Sequence, residues 1–172
     1  GDFELKSSEK TVLDYAPFKA SLALLKAGLP AADGYIFTGR LTAYSKNARL
    51  CVPSVGLVLK EEAARGTLIM LHGYGLTEIG SVSWDNGISF KQEDNISPGC
   101  AAPAGITPGK ENTFRLLVRR NMFEFYLDDC YIQTLNTTHV RSKPGLFPTG
   151  IGFLAHNGVC RVRGLKIQQM TL

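Results

Sequence analysis

The chain has 172 residues, 44% of them hydrophobic, and a formal charge of +4. That length suits one domain spanning 1–172, able to bury roughly 70% of its unfolded-chain surface, and no apolar run approaches the roughly 20 residues of a membrane helix. The basic stretches "LVRRN" (117–121) and "CRVRGLK" (160–166) alternate with apolar residues and match no nucleic-acid motif, so nucleic acid and membrane insertion are set aside.

Gly1 stands where an initiator Met would, as in a domain processed from a longer chain, and residues 1–16 read as an N-terminal extension. "APFKASLALLKAG" (16–28) carries two periodicities. Pro17 and Gly28 bracket it as helix ends are bracketed, and Phe18, Leu22 and Leu25 fall at helical spacing. Phe18, Ala20, Leu22 and Leu24 also alternate as a strand does. The β character of everything downstream tips the reading towards a strand, with a short N-terminal helix as the alternative.

From residue 34 the chain reads as strands and turns. "GYIFTGRLTAY" (34–44) alternates with period two, as a half-buried strand does. "SVGLVLKE" (54–61), "GTLIMLHGYG" (66–75) and "LTEIGSVSW" (76–84) follow, short and broken by glycine. "DNG" (85–87) is a hairpin signal, because Asn and Gly tolerate positive φ. Residues 98–109, with three Pro and three Gly, read as loop. In "NTFRLLVRRNMFEFYLDDCYIQTL" (112–135), Phe114, Leu116 and Val118 share one strand face. A turn at Arg120–Asn121 leads to Phe123, Phe125 and Leu127 on one face of the next, and Asp128–Asp129 makes the following turn. "GIGFLAHNGVCRVRGLKIQQM" (150–170) closes the chain as a hairpin turning at Asn157–Gly158. About ten short strands with Gly and Pro turns predict an all-β fold of two antiparallel sheets packed face to face. The alternation on the central hairpin implies one core-facing side and one open side, a surface on which something can bind.

Cys51, Cys100, Cys130 and Cys160 form no CxxC, which excludes the usual structural zinc spacing. Three full disulfide pairings and four free thiols all remain open. The sequons "NIS" (95–97) and "NTT" (136–138) do not fix the compartment. His72, His139 and His156 share no metal-ligand spacing, and no metal or cofactor is expected. His156 sits at a hairpin tip, within reach of a ligand.

The hairpin at 112–135, followed by "GIGFLAHNGVCRVRGLKI", resembles the concanavalin A-like lectin/glucanase superfamily, laminin-G-like members included. There a return strand ends in "YVDG" or "YLDD" and a "GxIGF…VxVxxLxI" hairpin finishes the domain. "YIFTGRLTA" with "VGLVL" is similar to the superfamily's early strand pair, so the resemblance covers residues 34–172. It implies a jelly-roll sandwich, and a job in carbohydrate recognition or as an accessory domain of a glycoside hydrolase such as family 32. Such a role implies an extracellular or periplasmic location. It would give the domain a glycan or polysaccharide as ligand and a neighbouring catalytic domain of the same chain as a further partner.

Catalytic members of the superfamily carry an "ExDxxE"-type strand, because retaining cleavage needs two carboxyls about 5–5.5 Å apart. This chain has "EFYLDD". Glu124 and Asp128 would lie about 13 Å apart along one strand face, too far for that chemistry. Asp128 and Asp129 read as turn residues whose carboxylates cap backbone amides. No catalytic residue is assigned. Glu124 is the weak candidate, needing a partner such as Glu78 or Glu93.

Two further motifs are tempting. "TLIMLHGYG" (67–75) is similar to the oxyanion strand of α/β-hydrolases, but no "GxSxG" elbow follows. "SWDNGISF" (83–90) matches an Asp-box, and a single copy reads as hairpin chemistry, with Asp85 bonding turn amides and Phe90 packing beneath. Trp84, the only Trp, offers an indole face to a sugar ring or belongs to the core. The expected function is non-catalytic glycan binding or support of a hydrolase domain, with Tyr74, Trp84, Asp85, Asn86, Tyr126 and His156 as ligand-binding residues. The alternatives are a glycoside hydrolase using a carboxylate pair and a laminin-G-type protein-interaction module.

Overall fold

The computed structural model describes residues 1–9, 20–47, 49, 51–92, 101–102, 104–119, 122–136 and 148–171. Pro17, Phe18, Glu93, Cys100, Arg120, Asn121, His139, the first sequon and the last two residues of the second lie outside them. The described chain is all strand and turn. In order the strands are β1 (Phe3–Lys6), β2 (Ala20–Leu24), β3 (Gly34–Tyr44), β4 (Ser54–Glu62), β5 (Arg65–His72), β6 (Leu76–Ser83), β7 (Ser89–Gln92), β8 (Ala101–Ala102), β9 (Glu111–Arg119), β10 (Met122–Leu127), β11 (Cys130–Asn136), β12 (Gly150–His156) and β13 (Val159–Met170). One sheet runs β1-β13-β3-β9-β10-β11. The other runs β2-β12-β4-β5-β6-β7, with β8 paired to β6. These are thirteen strands where about ten were expected.

Two expectations are corrected. The alternative of an N-terminal helix fails, because Ala20–Leu24 is a strand bonded along its length to β12 and no helix occurs among the described residues. The Leu22, Leu24 period decides it, since β12 offers Leu154 and Gly152 opposite. Residues 98–109 are not all loop, because Ala101–Ala102 pairs with Thr77–Glu78. A two-residue strand in a Pro/Gly segment carries no periodicity to read.

The inner faces of the two sheets meet in one core. Tyr35, Phe37, Leu116, Val118, Phe123 and Phe125 from the first sheet pack on Leu57, Leu59, Ile69, Leu71, Ile151 and Phe153 from the second. Each such side chain contributes about 1.5–3 kcal/mol when fully buried. Phe153 sits between the edges of Phe3 and Phe114, with ring centroids 5.5 and 6.3 Å away. The Tyr35 hydroxyl donates to the Pro30 carbonyl, which satisfies its one polar atom at the core margin.

The outer faces differ. On the first sheet the pattern is strict alternation, buried and exposed, along β9. That outer face is open. On the second sheet β4, β5 and β12 are buried on both sides. Val58, Leu68, Met70, Val82 and Leu154 form a second apolar cluster there, with Leu22, Trp84, Ile88 and Phe90 against it. Cys130 and Cys160 are free thiols, and burial pushes Cys160 up to about 12, so it stays a small neutral hydrophobe.

Candidate functional site

The carboxylates of "EFYLDD" separate once the chain is folded. Glu124 lies on the outer face of β10, where the Tyr126 hydroxyl donates to it at 3.3 Å. Asp128 and Asp129 make the β10–β11 turn with φ of 49° and 62°, the two left-handed residues a tight hairpin requires. Asp128 Oδ1 accepts from the Thr113 amide at 2.8 Å and its Oδ2 from Asn112 Nδ2 at 2.5 Å. The expected single-face spacing of Glu124 and Asp128 does not arise, because the strand ends at Leu127. Glu78 is no partner for Glu124 either. It is on the outer face of the second sheet, so the two layers of the sandwich, about 10 Å apart, stand between them.

The proposed ligand residues fall into three places. Trp84, Asp85 and Asn86 lie at the β6–β7 turn. Asp85 Oδ1 accepts from the Asn86 amide at 3.1 Å, and Trp84 is half-buried in the second apolar cluster. Tyr126 is on the outer face of the first sheet, with the Arg115 guanidinium 4.2 Å above its ring. Tyr74 and His156 are brought together at the opposite end of the second sheet from Trp84. The seven residue steps of β5 between Arg65 and His72 set that separation at about 23 Å.

Around Tyr74 and His156 the register assembles more than the sequence announced. His156 on β12 is opposite Ser54 on β4, and Ser54 is opposite His72 on β5. Glu78 on β6 faces the same side, two residues beyond the partner of His72. Ser54 Oγ lies 2.9 Å from His72 Nδ1, and His72 Nε2 lies 2.7 Å from Glu78 Oε2. A carboxylate only accepts, so Nε2 carries the proton and, in the neutral ring, the Ser54 hydroxyl donates to Nδ1. Ser54 is 3% exposed, so its hydroxyl fixes the ring and does not meet a substrate. Burial, and then the charge of His72, hold the His156 imidazole below its ordinary range.

On this braced imidazole lies Tyr74. The two rings are stacked with centroids 4.6 Å apart and planes 18° from parallel. Tyr74 is 61% exposed, the most exposed large aromatic among the described residues. The β5–β6 turn holds it there through Gly75, whose φ is +90° and whose amide donates to the His72 carbonyl at 3.2 Å. Beside this platform stand the Glu78 carboxylate, with 17% of its side chain exposed, and His156. An exposed aromatic plate with polar groups at its edge suits a ring that is apolar on its faces and hydroxylated around its rim. No group of three or more His, Cys, Asp or Glu able to hold a metal occurs among the described residues.

Sequence reasoning named Tyr74 and His156 and missed Ser54 and His72 as their neighbours. The signal lay in "EEAARG" (61–66). With Ala63–Ala64 as the hairpin tip residue 54 would fall opposite 73, and the extra residue taken up between Lys60 and Glu62 moves it opposite 72.

The sandwich has counterparts among solved structures. The carbohydrate-binding module CBM66 from Bacillus subtilis superposes with a TM-score of 0.64 at 14% identity, over 96% of this chain and 95% of that one. The carbohydrate recognition domain of Emp46p in its metal-free form gives 0.65 at 11% identity, over 99% and 89%. Caenorhabditis elegans galectin LEC-6 gives 0.57 at 11% identity, over 96% of each chain. No family model and no curated protein matches the sequence. At these identities the shared property is the fold, a concanavalin A-like sandwich of galectin-like build.

Proposed function

We propose that this chain is a non-catalytic carbohydrate-binding module whose glycan site is the Tyr74 platform with Glu78 and His156 at its edge. The observation that carries the reading is the exposed Tyr74 ring lying on an imidazole tethered at both nitrogens. A plate held in place before the ligand arrives loses little conformational entropy on binding. The fold adds to it, being shared with a carbohydrate-binding module, with galectins and with a lactose-liganded congerin II. One ring stacked on one aromatic, with a few hydrogen bonds, gives micromolar-to-millimolar affinity, about −8 to −4 kcal/mol. Attachment to a hydrolase domain rests on the sequence resemblance. The extracellular or periplasmic location rests on the ligand class, and the free thiols Cys130 and Cys160 add nothing to it.

The test is a glycan and polysaccharide binding panel with wild type, Tyr74→Ala and Trp84→Ala. Tyr74→Ala is expected to lose at least tenfold in affinity, while Trp84→Ala binds normally but unfolds more easily. The reverse pattern would move the site to the β6–β7 turn. An empty panel would overturn the reading and leave an interaction or accessory domain.

A further inference from the structure

The open face of the first sheet carries a cleft of about 280 Å³ that has no part in the Tyr74 site. Pairing lines up one row of side chains across five strands: Lys166, Thr38, Arg115, Tyr126 and Tyr131. Neighbouring strands are about 4.8 Å apart, so Lys166 and Arg115 straddle the Thr38 hydroxyl with their backbones about 10 Å apart. That gap is the width of one carboxylate between two cationic heads. Asp129 lines the same cleft from the β10–β11 turn.

Three features mark this row as built. Lys166 reaches the outer face through a bulge. Arg163 pairs with Arg40 and Lys166 with Thr38, so β13 spends three residues against two on β3. Without that extra residue, 163 and 166 would point to opposite faces. Gly164 absorbs the bulge with φ of +58°. Second, the Arg115 guanidinium lies over the Tyr126 ring, 4.2 Å from its centroid, and a guanidinium is the cation best matched to a planar acceptor. Third, three other cations of this face are engaged. Arg40 and Arg163 both reach Glu111, at 3.4 and 3.7 Å, and Lys110 reaches Asp128 at 3.8 Å. Among the described residues neither Arg115 nor Lys166 has a carboxylate within pairing distance.

We propose that this cleft is a second saccharide site, selective for a uronic-acid unit. The sugar carboxylate sits between Arg115 and Lys166 with the Thr38 hydroxyl beneath it, and Asp129 accepts from ring hydroxyls. Asp129 is what distinguishes this chemistry from plain anion capture, because a second negative charge repels sulfate or phosphate yet suits a polyol. A volume near the lower bound of small-ligand sites, about 300 Å³, fits one or two rings. Tyr131, 57% exposed with its ring edge-on to Tyr126 at 5.7 Å, extends the row for the next unit.

The experiment is titration of the whole chain with trigalacturonate and with its methyl ester, followed by calorimetry or amide shifts. Saturable binding of the acid is expected, with the ester at least tenfold weaker. Arg115→Gln and Lys166→Gln should each weaken the acid at least tenfold while unfolding at the wild-type midpoint. Asp129→Asn should weaken it too, and Tyr74→Ala should leave it unchanged, which separates this site from the first. Four results would overturn the proposal: no binding, equal binding of the ester, tighter binding by Asp129→Asn, or full displacement by sulfate or single-stranded DNA at equal charge.

Discussion

Asp128 shows how one side chain settles what a run of carboxylates is for. Its φ of 49° would cost an ordinary L-residue about 1–2 kcal/mol, and its carboxylate ties the turn to Asn112 and Thr113. Asp128→Ala keeps the strain and loses the bonds, so it should destabilise by about 2 kcal/mol. Asp128→Gly relieves the strain and should cost less, a difference readable in urea midpoints. The sequence made this turn legible, because paired Asp after a strand has few other uses. His156 gives a pH signature. Burial, with the nearby His72, depresses its pKa in the fold, so below the ordinary 6.5 the unfolded chain takes up a proton that the folded one resists. Stability should therefore fall as pH drops through that window and level off once the folded His156 protonates. Glu4 and Glu9, which bonds to Arg161 and to the Lys46 amide hold low, act only nearer 4.5. Urea midpoints at pH 7.5 and 5.5 should converge in His156→Gln relative to wild type.

Strands were legible in proportion to how one-sided their burial is. β3 was read from Gly34 to Tyr44, its true bounds, because one face is core and the other polar. β9 and β10 were read for the same reason. β1 escaped, since "FELK" is four residues of mixed charge whose apolar pair, Phe3 and Leu5, gains meaning only beside β13. The bulge in β13 escaped as well. A lone Gly in "CRVRGLKI" signals irregularity, but its place depends on the register with β3. Gly164→Ala tests that element cleanly. The nearest atom to an added Cβ is Arg40 Nη2 at 3.5 Å, so no clash intervenes and the φ alone should cost about 1–2 kcal/mol. Relief of the strain by losing the bulge would turn Lys166 inward, which amide shifts along β3 and β9 would report.

The whole sandwich has one open and one covered outer face, and sequence saw this only where alternation was clean. β4, β5 and β12 are continuous apolar runs, which say buried without saying by what. The Tyr74 site was half legible for a related reason. Tyr74 and His156 announce themselves as polar-aromatic residues near turns, whereas Ser54, His72 and Glu78 become a group only when three hairpin registers are known. Closure of the molecule is of the same kind, because it joins the two ends of the chain. β1 lies at the edge of the first sheet, paired with Val159–Val162. Phe3 puts its ring against Phe153, and Leu5 packs on the common core. Both are partly buried, so removing residues 1–6 should cost about 2–4 kcal/mol. The Glu4–Arg161 pair is exposed and adds little. The same deletion strips the backbone edge of β13, leaving unpaired amides and carbonyls beside the buried Cys160 and Val162. An open edge flanked by apolar side chains pairs with copies of itself. The truncated chain should therefore unfold at lower urea and scatter light in a concentration-dependent way at temperatures where the full chain stays clear. An unchanged urea midpoint in the truncated chain would mean that β1 contributes nothing to closure and that the core seals without it.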